Sequence, residues 1–215
     1  MNTLAARRPR GRPRKTPDER DEGNRRQELL HHAARLFRQQ GFAATTTRDI
    51  AAAAGMRAGS PFYHFENKAA LLFAVMEQGM RGALQRQAAA VQAVPARTSS
   101  QTMLRTLVRA HFDVLLGPGS DFIPVMLYEW RSLSAEQRHD ISELQRDYET
   151  AWADALQALS AAGSILADAR VARLMMLGAL NWSVQWYKPK NGLSLDELTD
   201  QAMQFFVATP QRRRA

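Results

Sequence analysis

Six cations with no acid among them, Arg7, Arg8, Arg10, Arg12, Arg14 and Lys15, open the chain, and their type and density suit the neutralisation of a polyanion. Within Pro9-Arg10-Gly11-Arg12-Pro13-Arg14-Lys15, Gly11 has no side chain to hold the backbone away from a groove floor, and the prolines keep the segment extended. Arg10, Arg12 and Arg14 can then diverge into the narrow, negative minor groove of an A·T-rich duplex. A membrane-binding segment needs apolar residues between its cations, and Arg7 to Lys15 has none, so a solubilising tail is the competing reading. Catalytic chemistry finds no set of groups. There is no cysteine, and His31, His32, His64, His111 and His139 have no metal-ligand spacing. His31 and His32 are adjacent on a helix and diverge by about 100 degrees. No phosphate loop, G-x-G-x-x-G or G-x-S-x-G occurs, so the expectation is no enzyme, no metal and no cofactor.

The elements that must position the basic groups are helical. Of 215 residues, 45% are hydrophobic and 23% charged, as in globular domains. The net charge of +8 belongs to the ends: Arg212, Arg213 and Arg214 close the chain, and between the two basic tails 20 cations face 21 acids. Leu29, Ala33, Leu36 and Phe37 recur at helical spacing, and Gly41 closes that helix. Thr46 with Asp49 reads as a capping box for a short helix over 47–54, Gly55 as a turn, and a third short helix falls within 57–65. Asn67 caps a long helix over 68–94. Further helices are expected over 98–116, 121–133, 135–162, 168–187 and 196–207. The expected fold is all-α with about nine helices. Its parts are a disordered basic arm and linker (1–24), a helix-turn-helix domain (25–68), a larger helical domain (69–208), to which the family resemblance given next assigns ligand binding and dimerisation, and a basic tail (209–215). No apolar stretch is long enough to span a bilayer, and Arg7-Arg8 is not followed by an export segment, which points to the cytoplasm.

Two resemblances sharpen this. The arm resembles an AT-hook. Residues 25–75 resemble the DNA-binding domain of the TetR family of transcriptional regulators, through Gly41-Phe42, Thr45-Thr46-Thr47-Arg48-Asp49-Ile50-Ala51, Ala54-Gly55-Met56, Gly59-Ser60-Pro61-Phe62-Tyr63-His64-Phe65 and Asn67-Lys68. The resemblance implies a homodimer on a palindromic operator in double-stranded DNA, with the third helices in successive major grooves. It places Arg48, Arg57, Ala58, Gly59 and Ser60 at base edges, and Thr47, Tyr63, His64 and Lys68 at phosphates. Alanine, glycine and serine read bases poorly, so Arg48 and Arg57 are expected to supply most guanine contacts. Ser60-Pro61 reads as an N-cap followed by a first helical proline, which starts the third helix late. Residues 16–24, taken as an extended linker, let the arm reach a flanking minor groove, so A·T-rich flanks are expected.

In the larger domain, Met76, Met103, Phe112, Met126, Tyr128, Trp130, Tyr148, Trp152, Trp182 and Trp186 fall at helical spacings. Each alone suits a core, and together they suit an apolar pocket. Glu129-Trp130-Arg131-Ser132-Leu133, with the stretch from Gly178 through Trp186 to Pro189, resembles the ligand domain of TetR regulators that respond to acyl-CoA thioesters. That implies a small apolar or acyl-CoA-like effector, with Arg131, Arg138, Arg170 and Arg173 as candidate cations for the phosphates and Asn181 for the thioester carbonyl. Leu174, Leu177, Gly178, Leu198, Phe205 and Phe206 are expected at the dimer interface. The competing class is an architectural DNA-binding protein without a small-molecule ligand.

Overall fold

The computed structural model describes residues 17–56, 61–165, 167–189 and 192–207. Among them are nine α-helices, one 3-10 turn and no strand, as expected for an all-α chain. Among the described residues no helix is long and apolar enough to cross a membrane.

Local chemistry sets most helix ends. α1 (Pro17–Gln40) buries Leu29, Leu30, Ala33, Ala34 and Phe37, and stops where Gly41 adopts a φ of 82° that side chains disfavour. α2 (Thr47–Ala53) starts at a reciprocal cap: Asp49 N–H donates to Thr46 Oγ1 at 3.1 Å, and Thr46 N–H donates to Asp49 Oδ2 at 2.9 Å. Gly55, with φ 65°, turns the chain so that Met56 N–H reaches the Ala51 carbonyl at 2.8 Å. The described part of α3 is Pro61–His64. Asn67 caps α4 (Lys68–Ala93), Ser99 caps α5 (Ser100–Leu116), and the short apolar α6 (Phe122–Glu129) follows. α7 (Ala135–Ala161), α8 (Ala169–Trp186) and α9 (Leu195–Phe206) complete the chain behind side-chain caps at Ser134, Asp168 and Ser194.

Two expectations change. α1 begins at Pro17 and not at Arg25, so most of the stretch expected as an extended linker is helical. Proline at the first helical position needs no N–H partner, and its ring presets the backbone for a helix. The single helix expected over 121–133 is α6 followed by a 3-10 turn, Trp130–Ser132. Leu133 must be extended there to lead into the Ser134 cap.

α1 to α3 pack on the first turns of α4 through Ile50, Phe65, Leu71, Leu72 and Val75. α4 then runs on into a second layer with α5, α7, α8 and α9, where Trp152 is wholly buried. α6 lies across both α1 and α4 and so belongs to the junction of the two parts.

Candidate DNA-reading face and ligand pocket

The reading face begins with the α2 cap, which aims exposed Arg48 away from the core while Ile50 and Ala51 anchor the other side. Tyr63 is 77% exposed and meets the half-buried His64 edge-on, with ring centroids 5.3 Å apart. Thr47 is half-buried at the first position of α2. Arg57, Ala58, Gly59 and Ser60, and the arm residues Arg10, Gly11, Arg12 and Arg14, lie outside the described residues. Lys68 departs from its expected place at a phosphate. Its ammonium donates to the carbonyls of Phe42 at 2.7 Å, Thr45 at 2.8 Å and Ala43 at 3.4 Å, and sits 4.4 Å from the Phe42 ring centroid. Three carbonyls of the connection between α1 and α2 take up its three donors, so the lysine closes the α1–α2 turn.

That turn is also held from the other domain. Phe42 N–H donates to Glu129 Oε1 at 2.8 Å, and Ser132 Oγ donates to Glu129 Oε2 at 3.1 Å. At the other end of α6, Asp121 pairs with Arg38 of α1 at 2.9 Å, and the Phe122 ring meets His31 edge-on at 5.0 Å. α6 therefore grips the reading domain at both ends while Ile123 and Met126 face inward onto a cavity.

That cavity holds about 80 Å³ between α4, α5, α6, α7 and α8. Met80, Ala83, Val114, Met126 and Leu177 give it apolar walls, and His111, Tyr148, Asn181, Gln145 and Glu149 bring polar groups to it. His111 Nδ1 lies 2.9 Å from the Tyr148 hydroxyl and Nε2 lies 3.1 Å from Asn181 Oδ1. Behind them Trp152 Nε1–H donates to Gln87 Oε1 at 2.9 Å, and Gln87 Nε2–H donates to the Tyr148 carbonyl at 2.9 Å. Burial holds the His111 pKa down to about 4 against the Asn181 hydrogen bond, which favours the charged ring, so the imidazole is neutral and carries one N–H. Burial also pushes the Tyr148 hydroxyl up, keeping it protonated. The buried phenolic proton needs an acceptor, and Nδ1 is the one within reach. Nε2–H then donates to Asn181 Oδ1, which leaves the Asn181 amide donors as the free polar end of the relay.

Among the residues expected in a pocket, the structure brings Met126, Tyr148 and Asn181 to this cavity, with Trp152 edge-on to His111 at 5.5 Å. Met76 and Phe112 lie in the core, and half-buried Met103 and Trp130 pack against it. Tyr128 is half-exposed, its hydroxyl accepting from Gln185 Nε2, and Arg131 is exposed. Trp182 and Trp186 point outward, because α8 turns Met176, Leu177, Leu180 and Ser183 inward instead. The sequence reading missed His111 as a pocket residue. Its signal was its position on the apolar face of α5, in register with Leu104, Leu107, Val108 and Leu115.

α8 leaves a second apolar surface uncovered. Val171, Leu174, Met175, Gly178, Trp182 and Trp186 follow one face at helical spacing, with Trp182 65% exposed, and Phe205 of α9 is 83% exposed. Of the residues expected at a dimer contact, Leu174, Gly178 and Phe205 are exposed and Phe206 is half-buried. Leu177 and Leu198 are turned into the core instead, because they fall on the inward faces of α8 and α9. Among the described residues, no group of three acidic or histidine side chains could hold a metal ion.

Comparison with known proteins agrees with this architecture. Residues 29–75 match the model for bacterial regulatory proteins of the tetR family, and residues 98–209 match the tetracyclin repressor-like C-terminal domain. The HTH-type transcriptional repressor KstR2 of Rhodococcus jostii (strain RHA1) is 30% identical over 193 residues, 88% of this chain and 92% of that protein. The structure of AibR in complex with isovaleryl coenzyme A and operator DNA superposes with a TM-score of 0.76 at 27% identity, covering 85% of this chain and 97% of AibR. The superantigen PfiT, 34% identical, gives a TM-score of 0.70 over 85% of this chain and 96% of its own. With both domain models matched in order and a repressor similar along almost its whole length, the chain belongs to the TetR family of DNA-binding transcriptional regulators.

Proposed function

We propose that the chain is a repressor that binds its operator as a homodimer and is released from it by a small apolar effector carried as an acyl-CoA thioester. The observation that carries this reading is α6: Ile123 and Met126 line the cavity, while Asp121 and Glu129 hold α1 and the α1–α2 turn. An effector that fills the cavity moves α6, and α6 cannot move without tilting the helices that enter DNA. The relay ending at Asn181 presents an N–H donor to the cavity, which suits a carbonyl acceptor such as a thioester. AibR, with isovaleryl coenzyme A bound, supports the chemical class. The apolar faces of α8 and α9 supply a self-complementary surface for the second copy. Arg48, Thr47, Tyr63 and His64 meet DNA in this reading together with residues 57–60, and the N-terminal arm adds minor-groove contacts.

Linkage gives the test. Isothermal titration of isovaleryl- and octanoyl-CoA into the free dimer and into its operator complex should give a lower affinity in the complex, by the same factor by which the thioester weakens DNA. Equal affinity in both states contradicts release by this effector class. The architectural alternative predicts no thioester binding at all, and the buried polar relay facing an apolar cavity is out of place in it.

A further inference from the structure

A groove of about 650 Å³ lies between α1 and α4 beside the start of α6. Val114 and Ile123 line both this groove and the apolar cavity, so the two spaces adjoin at these side chains. Their chemistry is opposite. Arg26 from α1 and Arg81 and Arg86 from α4 bring three guanidinium groups to the groove, and among the described residues that line it Glu77 is the one acid. Glu77 is held by Arg81 at 2.8 and 3.1 Å, which leaves the described lining residues with two cations in excess. Arg26 is steadied over the Phe65 ring, 5.0 Å from its centroid, and Arg86 folds back over Gly82. At the same junction Gln78 Nε2 donates to Gln27 Oε1 at 2.7 Å, so α1 and α4 are already tied there.

We propose that the phosphate-bearing end of a coenzyme A thioester occupies this groove, with its phosphates on Arg26, Arg81 and Arg86 and its acyl group passing Val114 and Ile123 into the cavity. The inference rests on the acyl-CoA reading above and adds where the handle lies. It replaces the cations the sequence suggested: Arg131 and Arg170 are exposed and do not line the groove, Arg138 donates to the Leu133 carbonyl, and Arg173 pairs with Glu149. Guanidinium forks suit phosphate oxygens, and a cavity of about 80 Å³ has room for a compact acyl group but not for the handle. Arg26 belongs to the reading domain and the other two arginines to the ligand domain. Phosphates bridging them clamp α1 to α4 while the acyl group acts on α6.

The test compares two probes with the same acyl thioester, isovaleryl-CoA and isovaleryl-pantetheine, the latter without phosphates. Each is titrated into the full-length wild-type protein and into R81A/R86A, and operator affinity is measured for both proteins. The expected result is a loss of roughly a hundredfold in isovaleryl-CoA affinity in the variant, at about tenfold per charge-assisted phosphate contact. Pantetheine-thioester affinity, operator affinity and melting temperature stay at wild-type values. A variant that binds isovaleryl-CoA like the wild type overturns the groove assignment and leaves the acyl-CoA reading intact. A variant that loses operator affinity while keeping thioester affinity assigns the arginines to the DNA backbone. A wild type that binds neither probe, nor octanoyl-CoA, overturns the acyl-CoA reading and the groove with it.

Discussion

Lys68 and His111 are single residues whose surroundings decide roles that their types leave open. A lysine at the start of a helix beside DNA suggests a phosphate contact, yet its three donors are taken up by carbonyls of the α1–α2 turn. Lys68→Met should therefore destabilise the domain by about 2 kcal/mol in chemical denaturation, the scale of lost hydrogen bonds to a charged group. It should leave the salt slope of operator binding unchanged, whereas deletion of residues 1–15 should lower that slope. A reduced slope in Lys68→Met returns the residue to the phosphate contacts. His111 is buried as the neutral ring, with its pKa held down from 6.5 to about 4. The unfolded chain binds the proton more readily, so stability is full above pH 6.5 and falls as pH drops from 6.5 toward 4, by about 3 kcal/mol. Below that both states are protonated and this contribution levels off. His111→Leu should be less stable at pH 7, because it orphans the Tyr148 hydroxyl, and its stability should be nearly flat from pH 6.5 to 4.5. An unchanged pH slope in the variant contradicts a buried neutral histidine. These roles were not legible in the sequence, because the partners lie 23 to 70 residues away.

At the scale of elements, legibility followed the range of the interactions. The starts of α2, α4, α7 and α9 could be read because each cap is set within three residues: Thr46 with Asp49, Asn67 with Ala70, Ser134 with Gln137, Ser194 with Glu197. The start of α1 carried a comparable signal in Pro17 and the acids after it, which a reading of solvated linker charge passed over. α8 was harder, since both of its faces are apolar and periodicity alone cannot say which one meets its own core. That ambiguity placed Trp182 and Trp186 in the pocket and Leu177 at the interface. In the proposed mechanism α6 is the element on which release turns, and its grip on Phe42 through Glu129 can be cut without touching the cavity. Glu129→Ala should keep operator affinity within about threefold. It should raise the thioester concentration needed for half release by roughly fivefold or more, the lower end of ordinary coupling energies. Unchanged release by this variant moves the coupling route elsewhere.

The whole molecule is a pair of basic, short-helix readers carried on α4 stems, with ligand domains whose outer face awaits a copy of itself. A face that includes Trp182, Trp186, Met175 and Phe205 is costly in water, and in the proposed dimer covering it fixes the spacing of the two reading domains. Trp182→Glu puts a charge at the centre of that face and should give a monomer in analytical ultracentrifugation. Its operator affinity should be at least about a hundredfold lower, because the second half-site no longer binds intramolecularly. A variant that stays dimeric moves the interface off α8. The account as a whole depends on one coupling, between the cavity and the DNA. Fluorescence anisotropy of a labelled operator, selected from random duplexes with the wild-type protein, measures it when isovaleryl- and octanoyl-CoA are titrated into the preformed complex. Saturable release by a thioester at concentrations where free coenzyme A and the free acid have no effect is the predicted result, and a complex indifferent to every thioester contradicts the account.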